Sequence, residues 1–189
     1  ENHLKSMELI NQPITDILMA LAAATGTSII PDETVSGNAS FYFSESDFED
    51  ALALFLSTYR LHYSREAGVF RVSRIAIDFN KDANLVTLNA EDTDVECLLR
   101  ALSKSISRTI LYDQLPKISV SVAIDHLPPE KAIDIITRRL AEFTLEQNDS
   151  FYYVKRLAGD LQGKRGGANS GIVKSGDRYS LSVEKARFT

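Results

Sequence analysis

Cysteine and histidine are scarce in this chain, and their scarcity excludes several kinds of site. The 189 residues include one cysteine, Cys97, so no internal disulfide can form. Two leucines follow Cys97 in a helical pattern, and we therefore expect a buried, inert thiol. The three histidines, His3, His62 and His126, lack partners at the spacing of a metal-binding motif. We place His62 on the exposed face of a strand and His126 in a loop before a helix, and expect no catalytic or metal-binding role for any of them.

Long apolar runs and an excess of basic residues are also absent. No segment approaches the ~18 apolar residues that a membrane-spanning helix needs. The formal net charge is −5, which argues against a general nucleic-acid binder because such proteins usually carry a basic face. Apolar residues make up 44% and charged residues 25% of the chain, as in ordinary globular proteins.

The sequence contains no recognisable catalytic motif. It has no nucleophile motif, no dinucleotide-binding glycine pattern and no P-loop. The acidic cluster Glu91, Asp92, Asp94 and Glu96 fits either a cation site or the capped start of a helix, and we favour the cap. We therefore predict a protein that is not an enzyme, with no catalytic, cofactor-binding or metal-binding residues and no cofactor.

What the chain does contain is an internal repeat with a spacing of about 81 residues. Apolar positions of one helix, Ile14, Ile17, Leu18 and Leu21, recur as Val95, Leu98, Leu99 and Leu102. Later pairs include Asp32 with Asp113 and Phe55 with Ile136, and one inserted residue then brings Val69 onto Phe151. The pattern of apolar positions recurs more faithfully than the polar residues do. A repeated core with a divergent surface is typical of a serial scaffold.

The periodicity within each repeat predicts the order strand, helix, two strands, helix, two strands. The fold class is therefore α+β, built of tandem small modules with β-α-β-β-α-β-β order. We place the first module at residues 5–76 and the second at 85–157, joined by residues 75–84. Predicted helix starts use Asn11, Asp92 and a capping box at Ser46, and Gly26 ends the first helix. Pro128 opens a helix expected to reach about Ala141.

The segment from Ala158 to the end of the sequence differs in character from both repeats. Six of the nine glycines fall between Ala158 and Arg178, so we predict a glycine-rich linker or loop at 158–178. Within it, Gly163-Lys-Arg-Gly166 has the form of a nucleic-acid-clamping GxxG loop, but no helical pattern flanks it. Residues 179–189 fit the first strand of a truncated third module, so we expect the series to continue beyond Thr189. The alternative is that this strand adds to the sheet of the second module.

Six segments of the first repeat form a characteristic series: Met7-Glu-Leu-Ile-Asn-Gln-Pro-Ile-Thr-Asp-Ile-Leu, Ala24-Thr-Gly-Thr-Ser-Ile-Ile-Pro-Asp, Val35-Ser-Gly, Phe48-Glu-Asp-Ala-Leu, Leu61-His-Tyr and Val69-Phe-Arg-Val. This series resembles the periplasmic N-terminal modules of bacterial secretins, including the short domain shared by secretins and TonB-dependent transducers. The resemblance covers residues 7–74 well and 86–156 more loosely. The second repeat departs from the pattern, with Pro116-Lys-Ile for the Val-Ser-Gly turn and Ser107 in place of Gly26.

The resemblance implies a non-enzymatic scaffold in the periplasmic part of an outer-membrane protein. Such modules stack, form rings about an axis, and contact inner-membrane secretion or pilus components and the secreted substrate. Nucleic acid is not an expected partner. Alternatives are a signalling module of a TonB-dependent transducer that binds an inner-membrane regulator, a carbohydrate- or peptidoglycan-binding module, and a KH-like nucleic-acid binder. Tandem copies disfavour the first of these, and the acidic charge disfavours the last.

Overall fold

The computed structural model describes residues 3–157, together with the backbone of two strands at 172–175 and 178–181. It confirms the mixed α+β class, with four helices and several small sheets among the described residues. Residues 1–157 and 158–189 form two separate units. We call residues 3–73 the first repeat and residues 75–156 the second repeat.

The first repeat contains two helices and seven strands. In chain order these are β1 (His3–Leu4), β2 (Met7–Pro13), α1 (Ile14–Thr25), β3 (Ser28–Pro31), β4 (Asn38–Phe43), β5 (Ser46–Asp47), α2 (Phe48–Thr58), β6 (His62–Glu66) and β7 (Val69–Ser73). Strands β2 and β4 pair antiparallel, and β3-β7-β6 form a three-stranded sheet in which β3 runs parallel to β7. The short strands β1 and β5 pair with each other and were not predicted.

The second repeat contains two helices and six strands. They are β8 (Ile75–Asn80), β9 (Leu85–Asp94), α3 (Val95–Ile106), β10 (Thr109–Tyr112), β11 (Ser119–Leu127), α4 (Pro129–Thr137), β12 (Phe143–Gln147) and β13 (Phe151–Arg156). The sheet orders are β11-β9-β8 and β10-β13-β12, with β10 parallel to β13. The expected link at 75–84 is wrong, because β8 forms an antiparallel hairpin with β9.

Each repeat has its own hydrophobic core. The buried cluster of the first repeat runs from Leu4 to Val72, and that of the second from Val86 to Val154. Ile14, Ile17, Leu18 and Leu21 face the first core from α1, and Val95, Leu98, Leu99 and Leu102 face the second core from α3. The repeat seen in the sequence is therefore a repeat of two packed cores.

A bulge at the same position of both repeats replaces two of the predicted helix caps. Asn11 and Asp92 have positive φ angles of 49° and 44°, and each lies where the strand register shifts. The Asn11 N–H donates to Ser40 Oγ at 2.8 Å, and the Asp92 N–H donates to Ser121 Oγ at 3.0 Å. Since both residues remain in strands, neither caps a helix. A serine on the partner strand satisfies the N–H that the bulge exposes.

Helices α2 and α3 are each capped at the N-terminus by the aspartate that directly precedes the helix. The Asp47 carboxylate accepts from the Glu49 N–H, and the Asp94 carboxylate accepts from the N–H groups of Glu96 and Cys97. The predicted capping box at Ser46 is wrong, since its hydroxyl donates to the Ser44 carbonyl. Both aspartates also place a negative charge at the positive end of the helix dipole.

The second helix of the second repeat is shorter than predicted. It ends at Thr137 instead of reaching Ala141. Beyond it, the Arg139 and Leu140 N–H groups donate to the carbonyls three residues earlier, which tightens the chain into turns. These turns bring Leu140 into the second core, where it is buried.

Helices α1 and α3 end in the same left-handed conformation, although the residue differs. Gly26 follows α1 with φ 66°, and Ser107 follows α3 with φ 52°. A side chain at this φ costs roughly 1–2 kcal/mol, whereas glycine adopts it freely. A Cβ built on Gly26 would meet no atom within 4 Å, so any penalty there comes from the backbone alone.

Exchanging the two residues should shift stability in opposite directions. We expect Ser107→Gly to stabilise the protein by about 0.5–1 kcal/mol and Gly26→Ser to destabilise it by about 1 kcal/mol. Ser107 is exposed, so little packing is lost with its side chain. Urea unfolding followed by circular dichroism measures both changes. A loss of stability in Ser107→Gly would contradict the shared left-handed cap.

The separate unit of residues 158–189 contains one described hairpin. Strand β14 (Ile172–Ser175) pairs antiparallel with β15 (Arg178–Leu181). Part of the predicted linker at 158–178 is therefore a strand, and β15 includes the start of the strand predicted from residue 179. The rest of the predicted linker, its GxxG segment and the end of the third-module strand lie outside the described residues.

Candidate functional site

The two repeats meet without a linker, and Arg74 forms the joint between them. This residue stands alone between β7 and β8. Its N–H donates to Thr34 Oγ1 and its Nη2 donates to the Ser36 carbonyl, both at 2.8 Å. Its carbonyl accepts from the N–H of Glu91 in the second repeat at 3.3 Å. One residue thus ties the loop after β3 to strand β9 and restricts rotation between the repeats.

Two ion pairs cross the same joint. Arg60 Nη1 lies 3.4 Å from Glu91 Oε2, and Arg100 Nη1 lies 2.9 Å from Glu33 Oε1. Arg100 also contacts Glu96. The pKa of its guanidinium is raised, mainly by a hydrogen bond with Tyr112 and next by the negative charge of Glu33. Three of these four side chains are more than half exposed, so the pairs add little to stability. They bring opposite charges of the two repeats together at the joint.

Cys97 lies beside this joint and is only half-buried. The thiol is therefore less buried than predicted. Partial burial raises the pKa of the thiol, and the nearby carboxylates of Glu33 and Asp94 raise it further. A thiol with a raised pKa stays protonated and is a poor nucleophile at neutral pH. That Cys97 is unreactive stays a prediction, which the raised pKa favours.

A cleft of about 510 Å³ lies between the β3-β7-β6 sheet and the second repeat. Its walls include Asp32, His62 and Arg71 from the first repeat and Ile75 and Lys104 from the second. His62 was predicted to be a surface residue, but it is half-buried, and its Nε2 is buried without a hydrogen-bond partner among residues 3–157. The sequence could not show this, because the second repeat covers the face on which His62 lies.

The surface of the first repeat that receives the second has a counterpart on the second repeat. Repeat spacing maps Glu33 onto Gln114 and Arg60 onto Ala141, and the one-residue insertion maps Arg74 onto Arg156. The three counterparts all line one cavity of about 420 Å³, together with Leu115, Pro116, Glu142 and Phe143. This cavity is therefore the free equivalent, within the described residues, of the surface that the joint fills in the first repeat.

Asp113 anchors the chain beside this cavity. Its carboxylate accepts hydrogen bonds from the Tyr153 hydroxyl at 2.6 Å and from the Arg156 N–H at 2.8 Å. Both bonds favour the ionised form and lower the pKa of Asp113 below its usual value near 3.8. The same hydrogen bond raises the pKa of the Tyr153 hydroxyl.

This anchor predicts a specific acid sensitivity. A carboxylate whose pKa is lowered on folding adds stability above about pH 4, and that stability is lost as the pH falls through its folded pKa. We therefore expect Asp113→Asn to be less stable than the wild type at pH 7 and to match it more closely near pH 2. Urea midpoints measured at both pH values test this. A difference between the two proteins that does not change with pH would contradict it.

The opposite face of the joint also has a counterpart in the first repeat. Glu91 and Arg100, which contact the first repeat, map onto Ile10 and Met19. These two apolar side chains are 64% and 62% exposed. In the second repeat β8 pairs with β9 and contacts α3, whereas β2 pairs only with β4 among the described residues. Within residues 3–157, no strand equivalent to β8 therefore covers Ile10 and Met19.

The residues considered for chemistry do not converge on a site. His3 lies 3.1 Å from Glu45. His126 was predicted to lie in a loop, but it lies near the end of β11, where its exposed side chain contacts Asp125. Of the acidic cluster, Asp94 caps α3, while Glu91 and Glu96 pair with arginines. Among the described residues no three His, Cys, Asp or Glu side chains are grouped to hold a metal ion.

No protein-family model and no curated protein matches this chain. Among the described residues, no helix is both long enough and apolar enough to span a membrane.

Proposed function

We propose that this chain is a non-enzymatic scaffold from the periplasmic ring-forming region of an outer-membrane secretin channel for protein secretion or pilus assembly. The observation that carries the proposal is the direct joint at Arg74 between two α+β repeats with separate cores. A serial stack needs units that keep a fixed orientation, and a one-residue joint with paired charges provides it. The residue pattern of β2, α1 and the Val35-Ser-Gly turn supports the same proposal.

Exposed sheet edges give the scaffold surfaces for contacts with other chains. Strands β3 and β10 lie at equivalent edges, and each carries a large exposed apolar residue, Ile30 and Leu111. Edge strands with apolar side chains are suited to lateral association or strand addition. We propose that these edges serve self-association in the ring and contacts with inner-membrane components or the secreted substrate.

Electron microscopy of the full-length protein tests the proposal. We expect ring-shaped oligomers extracted from the outer membrane, with residues 3–157 forming part of the periplasmic wall. Fusing a small rigid tag after Leu157 should add density to that wall and leave the ring intact. A monomeric full-length protein, or one whose sequence leads into a plug and receptor barrel, would overturn the proposal in favour of a transducer module.

A further inference from the structure

We propose that a groove on the first repeat binds a short extended segment of another protein, in which a lysine or arginine stands two positions before an apolar residue. The groove lies between one edge of β4 and helix α2. The bound segment would add to β4 as an antiparallel strand. This site goes beyond the proposed scaffold function and does not depend on it.

One edge of β4 has no partner strand within residues 3–157, because β4 pairs only with β2. At Ser40 this edge is closed by Tyr59, which directly follows α2. The Ser40 N–H donates to the Tyr59 hydroxyl at 3.0 Å, and that hydroxyl donates to the Ser40 carbonyl at 2.8 Å. Alternate residues of a strand direct their backbone groups to the same side, so Tyr42 also directs its N–H and C=O to this edge. The equivalent edge of β11 is unpaired within the same residues, so the repeat supplies no strand of this chain for it.

Beyond Ser40 the space beside the edge forms a groove of about 140 Å³. Residues 41–44 line its strand side, and Asp50, Ala51 and Leu54 line its helix side. Tyr42 and Leu54 are 63% and 61% exposed. Pockets for small-molecule ligands usually measure about 300–1,000 Å³, so a groove of this size suits one side chain of a peptide.

Helix α2 runs antiparallel to β4, since Tyr59 at its end contacts Ser40 near the start of the strand. Leu54 precedes Tyr59 by a helical rise of about 7.5 Å. Tyr42 follows Ser40 by about 6.6 Å along the strand, so it lies beside Leu54. Asp50 lies one helical turn further, beside the end of β4.

This arrangement sets the order of residues in the ligand. In an antiparallel pair, the ligand residue opposite Tyr42 shares its exposed face, and the residues before and after it point toward α2. The following residue meets Leu54 and should be apolar, whereas the preceding residue meets Asp50 and should be basic. Glu8, which pairs with Tyr42 across the sheet, adds a second negative charge nearby. Among the described residues that line the groove, none is basic.

The equivalent positions of the second repeat have lost this chemistry. Repeat spacing places Lys131 at the position of Asp50 and Ala123 at that of Tyr42. The counterpart of the apolar wall is Ile135, which is half-buried and packs against the second core. A basic segment is therefore expected to bind the first repeat and not the second.

NMR titration of the full 189-residue chain with the peptide acetyl-Thr-Thr-Lys-Thr-Leu-Thr-Thr-amide tests the proposal. One small groove gives weak binding, so we expect a Kd of about 0.1–1 mM. Amide shifts should map to residues 41–44 and 50–54. The peptide with leucine and lysine exchanged should bind roughly three- to fivefold more weakly. Methylating the backbone nitrogen of the central threonine should abolish binding, because it removes the N–H that would bond the Tyr42 carbonyl.

Exposed-site variants separate the groove from general stickiness. Leu54→Lys should weaken binding about tenfold, and Met19→Lys, at an equally exposed apolar residue on α1, should leave it unchanged. Asp50→Lys should prefer the peptide that carries glutamate in place of lysine.

Four results would overturn the inference. They are no amide shifts in residues 41–44, unchanged binding of the methylated peptide, equal loss in Met19→Lys, and no change of charge preference in Asp50→Lys. Shifts of the same amides that depend on protein concentration without peptide would also overturn it, since a second copy would then fill the groove.

Discussion

Replacing Phe55 with alanine is expected to unfold the first repeat while the second stays folded. Phe55 is fully buried on α2, and its ring packs against Phe41, Phe43 and Tyr59 at centroid distances of 5.1–5.6 Å. Loss of a buried phenylalanine costs about 3–5 kcal/mol, through lost transfer energy and the cavity left behind. A core of one small repeat has little stability in reserve.

The separation of the two cores makes the effect local. The buried clusters share no residue, and the ion pairs that cross the joint are exposed and weak. The matched variant is Ile136→Ala, because Ile136 occupies the equivalent position on α4 and is also fully buried. It should lower the stability of the second repeat by about 2–5 kcal/mol.

Hydrogen exchange measured peptide by peptide distinguishes the two variants. Phe55→Ala should lose protection in residues 3–73 and keep it in residues 75–156, and Ile136→Ala should show the reverse. Equal loss of protection in both repeats of each variant would contradict independent cores. It would indicate that the joint at Arg74 couples the repeats into one folding unit.

The helices and the cores could be predicted because their signal is local. The spacing of Ile14, Ile17, Leu18 and Leu21 defines one helix face, and the same spacing recurs in α3. The turn at Gly26 follows from the freedom of glycine at positive φ. No comparable local signal marks Ser107, whose left-handed φ is imposed by the shared geometry of the repeat.

The bulges show why the predicted caps were wrong. Asn11 and Asp92 are good cap residues, and each precedes a helix by only a few positions. Their actual conformation depends on Ser40 and Ser121, which lie 29 residues away on partner strands. Ser40 and Ser121 occupy equivalent positions in the two repeats. This identity was the sequence signal that could have indicated the bulges.

The exposed positions of Ile10 and Met19 and the cavity at Gln114 could not be predicted from one repeat considered alone. Ile10 and Met19 have ordinary positions on an amphipathic strand and helix, and Gln114 lies in a loop. They are the counterparts of Glu91, Arg100 and Glu33, and these three residues form ion pairs across the joint only when the two repeats are folded against each other. Contacts between exposed side chains of different repeats leave no periodic pattern in the sequence.

Strand β8 yields the second large expected effect, in the segment that was predicted to be a link. Ile77 is half-buried, pairs with Leu88 of β9 and packs against the second core. Ile77→Asp removes this apolar contact and places a carboxylate against the core, where it lacks a partner. We expect a loss of about 2–4 kcal/mol from the second repeat. A flexible link would tolerate the same change.

The neighbouring residue provides the control for this prediction. Asp78 is exposed on the opposite face of β8, so Asp78→Asn should change stability by less than about 0.5 kcal/mol. Urea unfolding gives both values, and hydrogen exchange should assign the loss to residues 75–156. A neutral Ile77→Asp would mean that β8 adds nothing to the second core. The expected loss would show that β8, the strand directly after Arg74, belongs to the folding unit of the second repeat. Arg74 is then the single residue that separates the two repeats.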